Sequence, residues 1–543
     1  MRTIKLLDCT LRDGGYLNDW EFGHNNIVNI FERLVSSGVD IIEVGFIDER
    51  REYDFNRTIF PDTDSINLSF SNMNKKEAML VGMIDYGTCS IEQIQRCEES
   101  ILDGIRVIFK KHLRKEALDF CAQLKEKGYK VFAQLVSITS YDDEELMDLI
   151  RLSNKVEPYA VSMVDTYGLM HQENLLHYFH LLNAHLSSSI SIGYHSHNNF
   201  QMAYANCIEF LAQQTERNIL LDGTIYGMGK SAGNAPIELL AMHMNQHYEK
   251  QYDITQILEA IDSSVMEFYR QKQWGYNMFY YIAASNDCHP NYVSYLMNKR
   301  TLSVKEIDAI LKELIPDKRL LYDEQYIEKC YFDYQKNEIN DEKMYQELSG
   351  IFRDRKILLL GPGCNIVKQR DRINDWLKDQ DAIKMAVNFM PEEYQPDYLF
   401  LTNSKRYLML STCLTRSDVA IISTSNVTNR HGEFKYILNY STLIDKEASI
   451  VDNPLLMIMN AFKRMGVNDI YLAGFDGYVN AIGNNYVEQN MEYDFTNDQV
   501  EELNLYVSKQ LRIYGQDIRM TFITDTVYDV SHWGMQLGNG ARV

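Results

Sequence analysis

The chain has 543 residues, too many for one ordinary hydrophobic core, and its 45% hydrophobic and 24% charged content reads as two or three soluble globular domains. A net charge of -22 argues against a nucleic-acid or anionic-membrane partner. The opening "MRTIKLLDCTLRDGG" lacks a signal-peptide apolar region, no apolar run is long enough to span a bilayer, and the 9 cysteines form no CxxC pairs, which fits reduced thiols in a cytoplasm. Taken in chain order, eight short Val- and Ile-rich runs open the sequence: "IKLLDCT" from 4, "VDIIEVGF" from 39, "AMLVGMID" from 78, "GIRVIFK" from 104, "YKVFAQLVSI" from 129, "YAVSMVDTYG" from 159, "SISIGYHSH" from 189 and "ILLDGTIYG" from 219. Amphipathic helical stretches lie between them. In "HLRKEALDFCAQLKEKG", Leu113, Ala117, Phe120, Cys121 and Leu124 share one face. "TSYDDEELMDLI" reads as a helix opened by Ser140, with acidic residues in its first turn.

Eight strand-then-helix units in about 245 residues is the arithmetic of a TIM (β/α)8 barrel. Residues 48–74 form a long connection, read as an ordered excursion over the barrel mouth. The expected organisation is an α/β chain in three parts. Residues 1–245 are the barrel, 246–349 a helical extension, and 350–543 a separate open α/β sheet of Rossmann-like type. The last is read from "RKILLLGPG", "AIKMAVNF", "DYLFLTN", "DVAIIST" and "NDIYLAGFDG".

Chemistry in such a barrel sits at the carboxyl ends of the strands. There the sequence places Arg12 and Asp13 after the first run, and Asp165 and Thr166 after the sixth. His195 and His197 end the seventh, and "GMGKSAGNAP" with Asn234 follows the eighth. A strand has a side-chain period of two, so His195 and His197 point the same way. Glu43 shares a face with Ile41 and Gly45, opposite Ile42, Val44 and Phe46; a carboxylate aimed into a barrel needs a partner. A lone HxH is more often two privately bonded histidines than a metal site. Closure, however, sets the eighth strand between the seventh and the first, so Asp13, His195, His197 and Asn234 converge. One carboxylate, two imidazoles and an amide oxygen suit a divalent ion, Mn²⁺ or Mg²⁺ first, with Co²⁺ and Zn²⁺ also compatible.

Five motifs, "LDCTLRDGG", "IIEVGF", "DTYG", "HSHNN" and "GMGKSAGNAPIE", together resemble the DRE-TIM metallolyases over roughly residues 1–300. That superfamily includes hydroxymethylglutaryl-CoA lyase, isopropylmalate and homocitrate synthases, and 4-hydroxy-2-oxovalerate aldolase. The resemblance implies a metal held by Asp13, His195 and His197, with Asn234 as fourth ligand. It implies Arg12 as the cation that stabilises an enolate oxygen, with Glu43 beside it. The shared chemistry makes or breaks a carbon–carbon bond of a 2-oxo acid. The aldolase branch carries a catalytic histidine three residues after the metal aspartate, and here that position is Tyr16. Tyr16 reads either as an acid or hydrogen-bond donor, or as a packed aromatic. His24 and His112 are substitutes on the linear map, and Lys230 reads either as an anion contact or as a solvated lysine. The acetyl-CoA branch has an acidic-amide "GEQ" where this chain has Gly14, Gly15 and Tyr16.

In the second half, "LLLGPGCNI" puts Gly361 and Gly363 after a strand, where a backbone can approach a phosphate. Ile366 stands in place of the third glycine of the dinucleotide fingerprint, and Asn388 in place of the ribose-binding acid, so NAD is poorly supported. This half resembles, more loosely, the Rossmann-like group of CMP-sialic acid-dependent sialyltransferases and hydroxymethylpterin diphosphokinase-like proteins. That implies a nucleotide or nucleotide-sugar near Gly361, Gly363, Asn388 and Asp476, against the alternative of a sheet used only for assembly. The leading expectation is a metal-dependent aldolase or lyase acting on a 2-oxo acid and an aldehyde. It is cytoplasmic and homodimeric, and its fusion fits the making of a surface sugar acid. The alternatives are an acyl-CoA-dependent synthase, a bifunctional enzyme with a C-terminal transferase, and a non-catalytic scaffold.

Overall fold

The computed structural model describes residues 2–319, 322–391, 393–415, 417–427, 434–446, 450–480, 485–488, 497–529 and 536–537. It divides into two compact units, Met1–Pro290 and Asn291–Val543. The first is built on strands β1 (Ile4–Asp8), β2 (Ile41–Ile47), β3 (Ile59–Phe60), β4 (Met79–Asp85), β5 (Gly104–Phe109), β6 (Lys130–Leu135), β7 (Ala160–Asp165), β8 (Ser191–Ser196) and β9 (Ile219–Gly223). They pair in the order β1-β9-β8-β7-β6-β5-β4-β2-β3, and β1 also pairs with β2, so eight strands close a barrel to which β3 is appended. Every pairing is parallel. The expected TIM barrel is present, and each of the eight apolar runs supplies one of its strands.

Alternation along the strands makes two different packings. Ile42, Val44, Leu80, Val107, Val131, Val161 and Ile192 pack outward with helix residues such as Leu34, Leu118 and Leu149. Leu7, Ile41, Met79, Val81, Phe132, Ala160 and Leu220 fill the barrel interior. One strand departs from the pattern. The pairing of β2 with β4 shifts register between Glu43 and Phe46, at Gly45, where φ is 151° and an added Cβ would lie 2.0 Å from the Thr58 carbonyl oxygen. This bulge turns Phe46 away from the helix face expected for it and packs it with Ile59 and Met83 at the mouth.

Two local readings are refined. The 48–74 connection contains β3 and a helix, Thr63–Phe70, capped by Asp62. The helix expected to open at Ser140 runs over Asp143–Val156. Asp142 is its cap, because its carboxylate takes the Glu145 amide while Glu145 reaches back in a capping box; Ser140 closes the preceding turn.

The second unit holds β10 (Lys356–Leu360), β11 (Ala382–Val387), β12 (Tyr398–Leu401), β13 (Ala420–Thr424), β14 (Tyr436–Leu438), β15 (Asp469–Ala473), β16 (Arg519–Phe522) and β17 (Gln536–Leu537). Their order is β14-β13-β12-β11-β10-β15-β16-β17, again all parallel. Both faces are covered. Ile357, Leu359, Met385 and Phe400 pack with Leu348, Phe352, Ile458 and Phe462, and Leu358, Leu360, Leu399 and Leu401 pack with Ile373 and Leu410. The chain runs one way from β10 through β14 and the other way from β15 through β17. A crevice therefore opens at the carboxyl ends of β10 and β15. Within the stretch 246–349, Ile257, Ala260, Val265 and Phe268 join the barrel core, whereas Tyr345 and Leu348 join the sheet core.

Candidate functional site

The first turn after β1 builds one side of the barrel mouth. Residues Thr10–Asp13 form a short helix, with the Arg12 and Asp13 amides bonded to the Cys9 carbonyl at 3.2 and 2.8 Å. Arg12 and Asp13 are thereby buried at the end of the strand. The turn cannot carry a side chain at Gly15, where a Cβ would meet Trp20 at 2.0 Å. Trp20 itself donates from Nε1 to the Arg12 carbonyl at 2.8 Å.

Across the β9–β1 seam, the loop after β9 closes on Asp13. Asp13 Oδ1 accepts the Lys230 amide at 2.8 Å and Asn234 Nδ2 at 3.1 Å. Asp13 Oδ2 faces His195 Nε2 at 3.5 Å and receives Arg12 Nη1. His195 and His197 lie with ring centroids 5.1 Å apart, and ligand atoms of Asp13, His195 and His197 fall within 4.8 Å of one another. His197 donates from Nδ1 to the Lys230 carbonyl at 3.2 Å, which leaves Nε2 for the cluster. Asn234 bridges backbone to backbone with His197, and its Oδ1 is buried without a hydrogen-bond partner among the described residues.

Electrostatics follow from burial. Burial alone would raise the Asp13 carboxyl, yet Arg12 and the two imidazoles hold it well below the carboxylate range. Burial pushes His197 down to about 3, so it stays a neutral imidazole. His195 goes the other way: its bonds to Asp13 and Asp222 outweigh burial and raise it. A carboxylate and two imidazoles whose ligand atoms meet in one buried spot, with the Asn234 amide bonded to that carboxylate, fit a divalent cation.

The other expected residues separate. Glu43 belongs to the mouth, where its Oε2 accepts Arg12 Nε at 2.7 Å. Tyr16 is 37% exposed, packed edge-on against Trp20 (5.0 Å) and Phe46 (6.0 Å), with Lys230 Nζ 5.2 Å from its ring centre. Desolvation pushes its hydroxyl up, away from a base role. Asp165 is turned to its own loop, taking the Leu169 and Met170 amides at 2.9 and 3.1 Å, and Thr166 accepts the Ser137 amide at 2.8 Å. His24 stacks on Phe55, and His112 is exposed.

Two residues of the site escaped the sequence reading. Arg106 in β5 and Asp222 in β9 are buried in the barrel interior. Asp222 Oδ2 accepts His195 Nδ1 at 3.0 Å and is paired with Arg106, while Arg106 Nη1 lies 3.0 Å from Glu43 Oε2. Each is a charge within an apolar strand, "GIRVIF" and "ILLDG", just as Glu43 is within "IIEVGF".

In the second unit, Gly363, Asn388 and Asp476 line one pocket together with Asn403, Arg406, Asp452, Asn453 and Tyr478. Gly361 is packed instead against the Gly474 backbone. Asn388 is left-handed, with φ of 55°. Its side chain clasps Thr402 through bonds of 2.8 and 2.9 Å. Asp476 Oδ2 accepts the Asn365 amide at 2.7 Å, while Oδ1 is buried without a hydrogen-bond partner among the described residues. Burial pushes this carboxyl up to about 6.

Fold and site define the first unit as a TIM barrel with an Asp–His–His–Asn cluster at its mouth, where a charged arginine lies beside the cluster. Residues 3–263 match the HMGL-like family model and form an HMGL-like domain. The chain is 26% identical over 270 residues to the oxaloacetate decarboxylase of Mycobacterium tuberculosis, covering 48% of this chain and 76% of that protein. It is 24% identical over 278 residues to the 4-hydroxy-2-oxovalerate aldolase of Shewanella halifaxensis, covering 49% and 78%. The HMG-CoA lyase structure from Bacillus subtilis aligns at a TM-score of 0.40 and 17% identity, over 49% of this chain and 93% of that one.

Proposed function

We infer that the HMGL-like half is a divalent-metal-dependent lyase of the aldolase class, cleaving or forming a carbon–carbon bond of a 2-oxo acid. The observation that carries this is the buried meeting of Asp13, His195 and His197 beside Arg12, with Asn234 bonded through Nδ2 to Asp13 and its Oδ1 buried without a hydrogen-bond partner among the described residues. Asp13, His195 and His197 would hold the ion, with Asn234 as fourth ligand; Mn²⁺ or Mg²⁺ is the first choice. The ion supplies Lewis-acid polarisation of the 2-oxo group. Arg12 does the rest from this chain. It is fixed by Glu43 and Asp13, stays charged, and places positive charge where an enolate oxygen develops without reorganising. Trp20, Phe46 and Tyr16 pack edge-on as an aromatic wall at the mouth.

The test is solvent deuterium exchange into the methyl group of pyruvate, followed by NMR on protein stripped with chelator and reloaded with Mn²⁺, Mg²⁺ or Co²⁺. Metal-dependent exchange that His195→Ala abolishes is expected. Exchange in no metal would sink the pyruvate-enolate reading, and a CoA-release assay would then test the acyl-CoA alternative.

A second reading, decarboxylation of a 2-oxo diacid, draws on the surroundings of Tyr16. Aldol cleavage needs a base for a hydroxyl proton. Tyr16 is raised out of range, and Asp165 is committed to two amides. Loss of CO2 reaches the enolate without that base. Oxaloacetate added to the same NMR sample would separate the two.

For the second unit we propose a nucleotide or nucleotide-sugar site at the switch-point pocket, with the ligand's polarity set by the charges present. Asp476 already takes the Asn365 amide, in the turn where a phosphate would bind, so the anion belongs at buried Arg406. Ligand hydroxyls belong at Asp476 Oδ1. Calorimetry with CMP and CTP on the full chain, wild type against Arg406→Ala, tests this; no heat with either nucleotide removes it. Homodimerisation and cytoplasmic residence complete the proposal. The described cysteines form no disulfide, no described helix is long and apolar enough to cross a membrane, and light scattering tests the dimer.

A further inference from the structure

The buried polar side chains of the barrel interior form a closed ring in which carboxylates alternate with arginines and one imidazole. Arg12 bonds Asp13 and, at 2.7 Å, Glu43. Glu43 faces Arg106 at 3.0 Å, and Arg106 pairs with Asp222. Asp222 takes His195 Nδ1 at 3.0 Å, and His195 Nε2 returns to Asp13 at 3.5 Å. All six side chains are at most 5% exposed. The rest of the barrel interior is filled by Leu7, Ile41, Val81, Phe132 and Leu220. Packing could have continued in the same apolar style, and burying ions in place of such residues is the less stable choice. Arg106 is also the member from β5, a strand that contributes nothing else to the cluster at the mouth.

We propose that Arg106 and Asp222 are positioning residues that couple the metal-binding imidazole to the enolate-stabilising arginine; this rests on the metal-site reading above. Asp222 is paired with Arg106, and its Oδ2 accepts a hydrogen bond from His195 Nδ1 at 3.0 Å. His195 is therefore tied through Nδ1 to Asp222, which leaves Nε2, 3.5 Å from Asp13 Oδ2, as the nitrogen it would offer to an ion. Arg106 holds Asp222 on one side and Glu43 on the other, and Glu43 in turn holds Arg12. One guanidinium thus fixes both the orientation of a ligand and the aim of the catalytic cation. Cys9 Sγ, Asp222 and His195 also lie close enough together to suggest a second metal triad. The Cys9 thiol, however, donates to the Gly223 carbonyl at 3.3 Å and is kept protonated by burial, and Asp222 is occupied by Arg106.

The test is Co²⁺ affinity and the visible absorption of the Co²⁺ protein, with the melting temperature as control, on wild type, Asp222→Asn and the double variant Arg106→Met/Asp222→Leu. Loss of such an outer partner lowers metal affinity about 10–100-fold, and that loss with a changed Co²⁺ spectrum is expected for Asp222→Asn. The double variant removes both charges together, so its melting temperature should match or exceed wild type while the affinity loss persists. Affinity that recovers together with stability would mean the pair is structural only and would overturn the proposal. So would a folded Asp222→Asn with wild-type affinity and spectrum. Wild-type protein that binds no divalent ion would overturn the metal-site reading itself, and the proposal with it.

Discussion

The barrel mouth and the crevice of the second sheet both lie at the carboxyl ends of parallel strands, yet they handle buried charge in opposite ways. In the barrel, closure brings β9 beside β1, and each charged side chain of the ring has an oppositely charged neighbour; Asn234 Oδ1, Glu43 Oε1 and Arg106 Nε and Nη1 are left without a hydrogen-bond partner among the described residues. In the open sheet the strand order meets itself at one switch point, and Asp476 stands there with one oxygen unsatisfied and its carboxyl pushed up to about 6. The difference teaches what each site is prepared for. A ring of paired charges can hold a cation in fixed geometry. A strained carboxylate at an open crevice waits for a donor.

Removing Arg12, the proposed catalytic cation, should separate the two regions most sharply. Arg12→Met is expected to lower metal-dependent deuterium exchange into pyruvate about 10²–10³-fold, while leaving CMP affinity at the second pocket unchanged. Equal damage to both would end the distinction. Next comes Gly229→Ala. A Cβ there would sit 2.0 Å from Asn234 Nδ2 and 2.6 Å from Asp13 Oδ1, so Asn234 must move. Co²⁺ affinity should fall about 10–100-fold at unchanged far-UV circular dichroism, and unchanged affinity would take Asn234 out of the ligand set.

A smaller effect probes the crevice. The folded pKa of Asp476 lies above its unfolded value, so the folded state binds the extra proton between about pH 4 and 6, and stability falls as pH rises through that window. Asp476→Asn should therefore stabilise the protein at pH 8 by at most about 2–3 kcal/mol and change little at pH 4. A pH-independent difference in denaturation midpoint would show that the carboxyl is not strained. Last, Tyr16→Phe should cost less than about tenfold in exchange. A loss near 10²-fold would make Tyr16 the proton donor and not part of the aromatic wall.

Much of the barrel was legible from spacing. Period-two alternation set His195 with His197 and put Glu43 inside, and eight even units implied closure. Phe46 was misplaced because a bulge at Gly45 reverses the alternation, and the steric reason lies in Thr58, thirteen residues further on. Arg106 and Asp222 hid in runs whose apolar neighbours read as plain strand. In the second unit the strands β14, β16 and β17 went unnoticed because they are short, of two to four residues.

By itself, then, the amino-acid sequence determined the periodicities: which residues alternate, where strands give way to helices, and which chemistry-bearing side chains stand at strand ends. Those are local properties, set by backbone geometry over a few residues. Only the tertiary structure decided which charges meet across the barrel, that Asp165 serves its own loop, and that Asp476 blocks the turn at Gly363. Such pairings depend on barrel shear and sheet order, which bring together residues more than a hundred positions apart, as Arg106 and Asp222 are.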